Sequence, residues 1–430
     1  MSLPGIGPRP QFTAVAPERL PTNTTANRHA IHRWFNFIAG FAPEFVAEHC
    51  PESADGILLD PFAGCGTSLV VAQAHGNRAV GFEPHPFFVR IARAKTAAPP
   101  TKARLRVIEE LLLNGAIAAP PKSSLPGAAR TFLTKLFDEA TLTQLLGARA
   151  ALEKAGLAKD DLAFLLLSRV VEMCSQSQTD GIYKAPTSRK KAAAPIEAIR
   201  DVIDEIRSDA ELLDNGGRLP EVFLHQRSSE DMSVVETGSV DVVVTSPPYL
   251  NNFDFAEMTR MQLYFWGLCG SWREITHKVR AQLIVNTTTA LTGHREIQSR
   301  YRDGIPAPVL SDLDRIVKAL ARERRRRPGK KEYDLLVYPY FAQMTRVLRE
   351  ALRCLKIGSS AHVVVADAAF YGIHVSTPQY LASIMTALGY DSVNCKKLRD
   401  RGHRWILEKR DGSPSGLGEY HISATRERNS

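Results

Sequence analysis

The chain has 430 residues, 44% of them hydrophobic and 23% charged, which allows roughly two to three domains around a buried core and excludes a disordered or fibrous chain. Lysine and arginine outnumber aspartate and glutamate by 55 to 46, and the formal charge of +9 favours a polyanionic partner. Six cysteines (Cys50, Cys65, Cys174, Cys269, Cys354, Cys395) form no Cys-x-x-Cys pair, which argues against a zinc site or a disulfide framework and for a reducing compartment, so no metal is expected.

Residues 1–26 are rich in Pro, Thr and Asn and read as an irregular arm without the apolar core of a signal peptide. Ile31, Trp34, Phe35, Phe37, Ile38, Phe41, Phe45 and Val46 recur at three-to-four spacing, which predicts a helix or helix pair over residues 30–48. Ile57-Leu-Leu-Asp60 then reads as a short buried strand, Pro61-Phe62-Ala-Gly64-Cys-Gly66 as a glycine turn, and Thr67 or Ser68 as the N-cap of a helix. The glycines let backbone approach a ligand closely, and the helix N-terminus favours a carboxylate or other anion. The next strand, Arg78-Ala-Val-Gly-Phe-Glu83, ends in an acid where a dinucleotide-type fold holds ribose hydroxyls. Since there are two glycines and no Gly-x-Gly-x-x-Gly, the plain alternative is a tight strand-to-helix turn.

A helix is expected over residues 87–95, and residues 97–125 mix a helix near 105–113 with Pro-rich linker. From 129 to 213 the pattern is helical almost throughout, which predicts a mainly helical domain, residues 98–219, inserted into the rest. Its most apolar run, 162–171, is too short to span a bilayer and carries Arg169; the expectation is a cytoplasmic protein with no membrane partner. Residues 175–195 read as an exposed loop whose cluster Lys184, Arg189, Lys190 and Lys191 either grips a phosphate backbone or is simply solvated.

After another short strand at 222–225, Asp241-Val-Val-Val-Thr245 runs straight into Ser246-Pro247-Pro248-Tyr249. Two consecutive prolines donate no hydrogen bonds and have fixed φ, so the Ser246 hydroxyl and the Pro247 carbonyl would be held as acceptors beside the Tyr249 ring. A planar base with an amino group suits such a pocket, its ring on the tyrosine and its amino hydrogens on the acceptors. The alternative is a strand ending in a Pro-Pro turn with a surface tyrosine. Asn251 and Asn252 next to it could read base edges or make an ordinary turn. Residues 271–333 read as irregular and basic, densest at Arg324, Arg325, Arg326 and Arg327, a candidate phosphate contact. Helix and strand alternate again to the end, with strands near 361–367, 390–393, 405–407 and 420–424. The succession predicts an α/β fold, one doubly wound sheet built from residues 27–97 and 220–430 with antiparallel strands at its late edge.

Asp60-Pro-Phe-Ala-Gly-Cys-Gly-Thr67 together with Thr245-Ser-Pro-Pro-Tyr249 resembles the amino-methyltransferases of DNA, whose motifs are Asp-Pro-Phe-x-Gly-x-Gly-Thr and (Asn/Asp/Ser/Thr)-Pro-Pro-(Tyr/Phe/Trp). The Ser-Pro-Pro-Tyr spelling looks most like members that make N4-methylcytosine. The resemblance implies a Rossmann-like methyltransferase sheet, S-adenosylmethionine bound by Asp60, Pro61, Phe62, Gly64, Gly66, Thr67, Glu83 and Thr245, and catalysis by Ser246, Pro247, Pro248 and Tyr249. Double-stranded DNA would be the substrate, with a flipped base, and Asn251, Asn252, Lys190 and residues 324–327 as its contacts; a cognate restriction nuclease would be a partner typical of such enzymes. Thr22 to Thr25 and His32 to Trp34 fall where the family closes over the methionine end of the cofactor, and an acid within residues 228–231 where it touches adenine. In the commonest order for Ser-Pro-Pro-Tyr enzymes the catalytic motif comes first; here the cofactor motif leads, across an insertion of more than a hundred residues. Adenine-N6, the guanine-N2 group of RNA, and a non-catalytic nucleic-acid-binding protein are the alternatives.

Overall fold

A computed structural model of the chain describes residues 26–35, 37, 42–118, 125–179, 184–213, 219–250, 253–291, 295–326, 331–401 and 417–427. Its centre is a seven-stranded sheet: β1 (Ile57–Asp60), β2 (Arg78–Phe82), β3 (Val222–His225), β4 (Val240–Thr245), β5 (Leu355–Ala366), β6 (Asp391–Asp400) and β7 (Gly418–Thr425). In space the order is 3-2-1-4-5-7-6. The strands β3, β2, β1, β4 and β5 pair in parallel, and β7 runs antiparallel to both β5 and β6. The predicted doubly wound sheet with an antiparallel late edge is therefore present, while the strand expected at 405–407 lies outside the described residues.

The short central strands are nearly all apolar because helices cover both faces, as a parallel sheet requires. Leu58 and Leu59 of β1 and Val243 and Val244 of β4 are almost wholly buried. The chain leaves β1 towards β2 on one side and reaches β4 on the other, so the strand order reverses between β1 and β4. In doubly wound sheets the crevice beyond the carboxyl ends of those two strands is where ligands bind. Here one strand ends in Asp60 and the other in Thr245-Ser246. The two sequence motifs thus occupy the two lips of one crevice.

Three helices flank the first half of the sheet: α1 (Pro43–Ala47), α2 (Thr67–Ala74) and α3 (Pro86–Thr96). The stretch expected to be a helix or helix pair over 30–48 is otherwise built. It contains two short 3-10 turns, Ala26–Arg28 and His32–Phe35, and then α1. Its apolar residues are pinned by tertiary contacts: the Trp34 indole N–H donates to Asp209 (2.8 Å), and Arg33 Nε to the same carboxylate (3.0 Å). Asp209 belongs to the helix Pro195–Leu213, so this ion pair ties the segment before α1 to the helical region.

Between α3 and β3 lie the helices Lys102–Ile117, Gly127–Leu133, Glu139–Lys154, Asp161–Cys174 and Pro195–Leu213. They share a hydrophobic core with Phe87, Phe88 and Ile91 of α3 and with residues 261–279. The predicted loop at 175–195 is instead partly a hairpin, Ser177–Thr179 against Lys184–Arg189. Residues 271–333 contain, beside short turns, one long regular element among the described residues. Ala307–Arg326 is a helix of 20 residues, held by Val309, Leu313 and Leu320, whose spacing of four and seven was hidden by the surrounding charge. Among the described residues, no helix is long and apolar enough to cross a membrane.

Candidate active site

The turn after β1 is held from behind. Asp60 is buried, and its carboxylate accepts hydrogen bonds from the Phe62 N–H (2.9 Å), the Thr245 hydroxyl (2.7 Å) and the Ser68 hydroxyl. Burial raises its pKa, opposed by those donors. Asp60 and Thr245 were both expected to bind cofactor; neither lines the pocket, and their contact instead clamps the end of β1 to the end of β4. Gly64 and Gly66 both take positive φ, +52° and +84°. Their reasons differ. A Cβ on Gly66 would lie 2.9 Å from the Cβ of Ala92, so this glycine lets α2 pack on α3. A Cβ on Gly64 would meet nothing closer than the Phe62 carbonyl at 3.9 Å, and Gly64 lines the pocket, so its backbone is open to the cavity. Gly66, with αL backbone, rather than Thr67 or Ser68, is the N-cap of α2.

Glu83, at the end of β2, is buried in the same pocket. One carboxylate oxygen accepts from the Gly64 N–H (3.0 Å) and the other from the His85 N–H (2.8 Å). Burial nevertheless pushes its pKa up to about 7. The acid therefore fixes the glycine turn while presenting its remaining lone pairs to whatever fills the pocket.

On the opposite lip, the Ser246 hydroxyl donates to the backbone carbonyl of Val364 on β5 at 3.0 Å. Its single hydrogen is thereby used, and what it offers the pocket is lone pairs. Pro248 lines the pocket as well; Pro247 and Tyr249 do not. The Tyr249 hydroxyl donates to buried Glu419 on β7 (2.8 Å), Arg399 Nε bonds the other oxygen of Glu419 (2.8 Å), and the Arg401 guanidinium lies 5.5 Å from the centre of the tyrosine ring. Burial, then the negative Glu419, raise the tyrosine pKa well above its usual value, so the ring stays neutral.

Phe62, Gly64, Thr67 and Glu83 from the first lip thus share one cavity with Ser246 and Pro248 from the second. Its apolar walls include Phe35, Phe37, Phe88 and Phe255. Ser228 and Ser229 reach it after β3, whereas the acids expected there turn away: Glu230 binds Gln343 and Arg346, and Asp231 binds Arg227. His32 lines the cavity, and its buried Nδ1 has no hydrogen-bond partner among the described residues. Thr22 to Thr25 lie outside them. Sequence reasoning missed Lys95. Its buried ammonium donates to the carbonyls of Phe35 (2.6 Å) and His32 (3.1 Å), which holds the 32–35 turn over the cavity, and burial lowers its pKa to about 8. The only signal was a lysine on the apolar side of a helix.

The basic candidates are scattered. Arg324 is paired with Glu332 (3.0 Å) and Asp334 (2.9 Å), Arg326 with Glu323 (3.1 Å), and Lys190 donates to the Glu172 carbonyl (2.8 Å). Arg325 is exposed at the end of its helix. Asn251, Asn252 and Arg327 lie outside the described residues.

No protein-family model matches the chain. The type II methyltransferase M.AvaI of Nostoc sp. is 25% identical over 398 residues, covering 84% of this chain and 79% of that protein, and the M.AvaI of Anabaena variabilis matches to the same extent. The type II methyltransferase M.BsoBI of Geobacillus stearothermophilus is 21% identical over 451 residues, covering 93% and 85%. The chain is a relative of the type II DNA methyltransferases. A solved geranyl diphosphate methyltransferase aligns with 89% of the chain and 84% of its own at 9% identity, but with a TM-score of 0.31, too low to carry an argument.

Proposed function

We propose that this methyltransferase moves a methyl group from S-adenosylmethionine to the N4 amino group of cytosine in double-stranded DNA. The observation that carries the reading is the Ser246 hydroxyl, oriented by Val364 as an acceptor, in the same cavity as Glu83 and the open side of Gly64. The cavity fits the cofactor on three counts: a carboxylate at Glu83 for ribose hydroxyls, an α2 N-terminus for a carboxylate, and the unpartnered Nδ1 of His32 for a polar group. When bound, the sulfonium supplies an electrophilic methyl.

The chain's own task is to make a poor nucleophile adequate. An aryl amine delocalises its lone pair into the ring. A hydrogen bond from the amino group to Ser246 Oγ favours a pyramidal nitrogen with its lone pair directed at the methyl; as the N–C bond forms the S–C bond would break, and one amino proton would leave to solvent. The base must leave the duplex to reach the site. Pro248 and the aromatic walls exclude water from the reacting atoms, while Glu419 and Arg401 hold the Tyr249 ring outside the cavity lining. Backbone contacts with DNA fall to exposed cations such as Arg325, since Arg324 is engaged within the fold.

Nucleoside mass spectrometry of duplex DNA incubated with the protein and isotopically labelled S-adenosylmethionine tests the reading. Labelled N4-methylcytosine is expected; N6-methyladenine as the sole product would replace the cytosine assignment by the adenine one, and no labelled base would remove both.

Glu83 adds a pH dependence. If the ionised carboxylate accepts the ribose hydroxyl hydrogens and its pKa without ligand is about 7, binding requires loss of a proton below that pH. Affinity for S-adenosylmethionine should then rise about tenfold from pH 6 to pH 8, by isothermal titration calorimetry. Glu83→Gln should bind more weakly with no slope; a slope that persists in the variant would assign it to another group.

A further inference from the structure

Three histidines far apart in the sequence meet away from the cavity just described. His49 follows α1, His362 lies on β5 and His421 on β7. One ring nitrogen from each falls in a set whose members all lie within 4.8 Å of one another, and each side chain is only partly buried, so solvent ions can reach them. His362 Nδ1 and His421 Nε2 are 3.0 Å apart, and the His49 and His362 ring centres 4.0 Å. We propose that these three imidazoles form a binding site for a divalent transition-metal ion, Zn2+ in the first instance, which would pin α1 to the sheet.

Several observations beyond proximity carry this. Nitrogen ligands of a tetrahedral zinc ion, each about 2.0–2.1 Å from the metal, lie roughly 3.4 Å from each other, so the observed 3.0 Å pair needs to open only slightly to accept the ion. In His49 and His362 the second ring nitrogen also lies on an oxygen, as metal-bound histidines require. His49 Nδ1 is 2.7 Å from the Phe45 carbonyl, which can only accept, so Nδ1 carries the hydrogen and Nε2 is left with a lone pair. His362 Nε2 is 3.0 Å from the Ser360 hydroxyl, which can accept a hydrogen and free Nδ1 for the metal. Without an ion, the His362–His421 contact must hold one hydrogen between the two rings. Ion binding requires only that this hydrogen move to the other nitrogen of its ring, a change of tautomer with no net loss of a proton. The donor set is borderline-soft nitrogen, which suits Zn2+, Co2+, Ni2+ and Cu2+ rather than Mg2+ or Ca2+. A fourth position would be filled by water. Because the site lies on strands β5 and β7 and on the residue pair after α1, its occupancy would stiffen the back of the sheet without contributing to the cavity that Ser246 and Glu83 line.

The test uses the full chain freed of metal with a chelator and titrated with Co2+, whose visible d–d bands report four-coordinate nitrogen ligation. One equivalent is expected to bind with those bands, to be displaced by Zn2+, and to raise the midpoint of thermal unfolding. His49→Gln, at the end of a short helix where folding is least at risk, should weaken Co2+ binding at least about tenfold, and His421→Gln likewise. Circular dichroism of the metal-free variants establishes that they fold; if His421→Gln does not, His49→Gln decides alone. Co2+ binding that shows no tetrahedral bands, or bands unaltered in a folded His49→Gln protein, overturns the proposal and leaves three neighbouring imidazoles, two of them hydrogen-bonded to each other.

Discussion

Replacing Ser246 by alanine is expected to slow methyl transfer by about two to three orders of magnitude, the cost typical of losing one preorganised polar group at a reacting centre. The hydroxyl hydrogen lies on the Val364 carbonyl in the protein without substrate, so the oxygen needs no reorientation when an amino group arrives. Alanine removes that acceptor together with one hydrogen bond to the Val364 carbonyl. Stability should therefore fall by no more than about 1 kcal/mol, the usual net worth of one neutral hydrogen bond. The quantity to measure is the single-turnover rate with saturating labelled cofactor and DNA, beside the calorimetric affinity for the cofactor. A rate within a few-fold of the parent would show that Ser246 is a packing residue and that another acceptor prepares the amine. A parallel loss of cofactor affinity would place Ser246 in the cofactor site instead.

The legible part of this site was the part written in consecutive residues. A buried strand, a glycine turn and an acid at the next strand end made the first lip readable around Gly64 and Glu83, and a Val-rich strand stopped by two prolines did the same for Ser246. Their convergence followed from strand order, since β1 and β4 are neighbours at the reversal point of a doubly wound sheet. What escaped was set by tertiary contacts. Glu419 meets Tyr249 from 170 positions away, and Lys95 meets Phe35 from 60 away. The direction of a side chain at a strand end was equally hidden: Asp60 read as a ligand because it is acidic and precedes the turn, yet it points back between two strands. Charge runs mislead for a related reason. Arg324 looked free in a basic run, and its partners, Glu332 and Asp334, stand beyond the Pro-Gly that ends the run.

Asp60→Ala is expected to destabilise the fold by about 3–5 kcal/mol, the summed cost of leaving several buried donors without their shared acceptor at roughly 1–3 kcal/mol each. Three donors would lose their acceptor together: the Phe62 N–H, the Thr245 hydroxyl and the Ser68 hydroxyl. Asp60→Asn should be intermediate, because its amide oxygen can serve some of those donors while its NH2 group faces the others. Glu83 supplies the opposite control. Its folded pKa of about 7 exceeds the ordinary carboxyl value of 4.5, so between those pH values the folded state holds more protons than the unfolded one and stability falls as pH rises. Above pH 7 the ionised Glu83 is a burden on the ligand-free fold, and Glu83→Gln should unfold at a higher temperature than the parent at pH 8 while binding cofactor more weakly. Asp60→Ala should instead unfold at a lower temperature and, wherever it is still folded, keep most of its affinity for cofactor. Thermal unfolding followed by circular dichroism, with and without S-adenosylmethionine, separates the two. If Asp60→Ala kept the parent's midpoint but lost cofactor binding, Asp60 would be a ligand contact and the clamp between β1 and β4 would have to be assigned elsewhere.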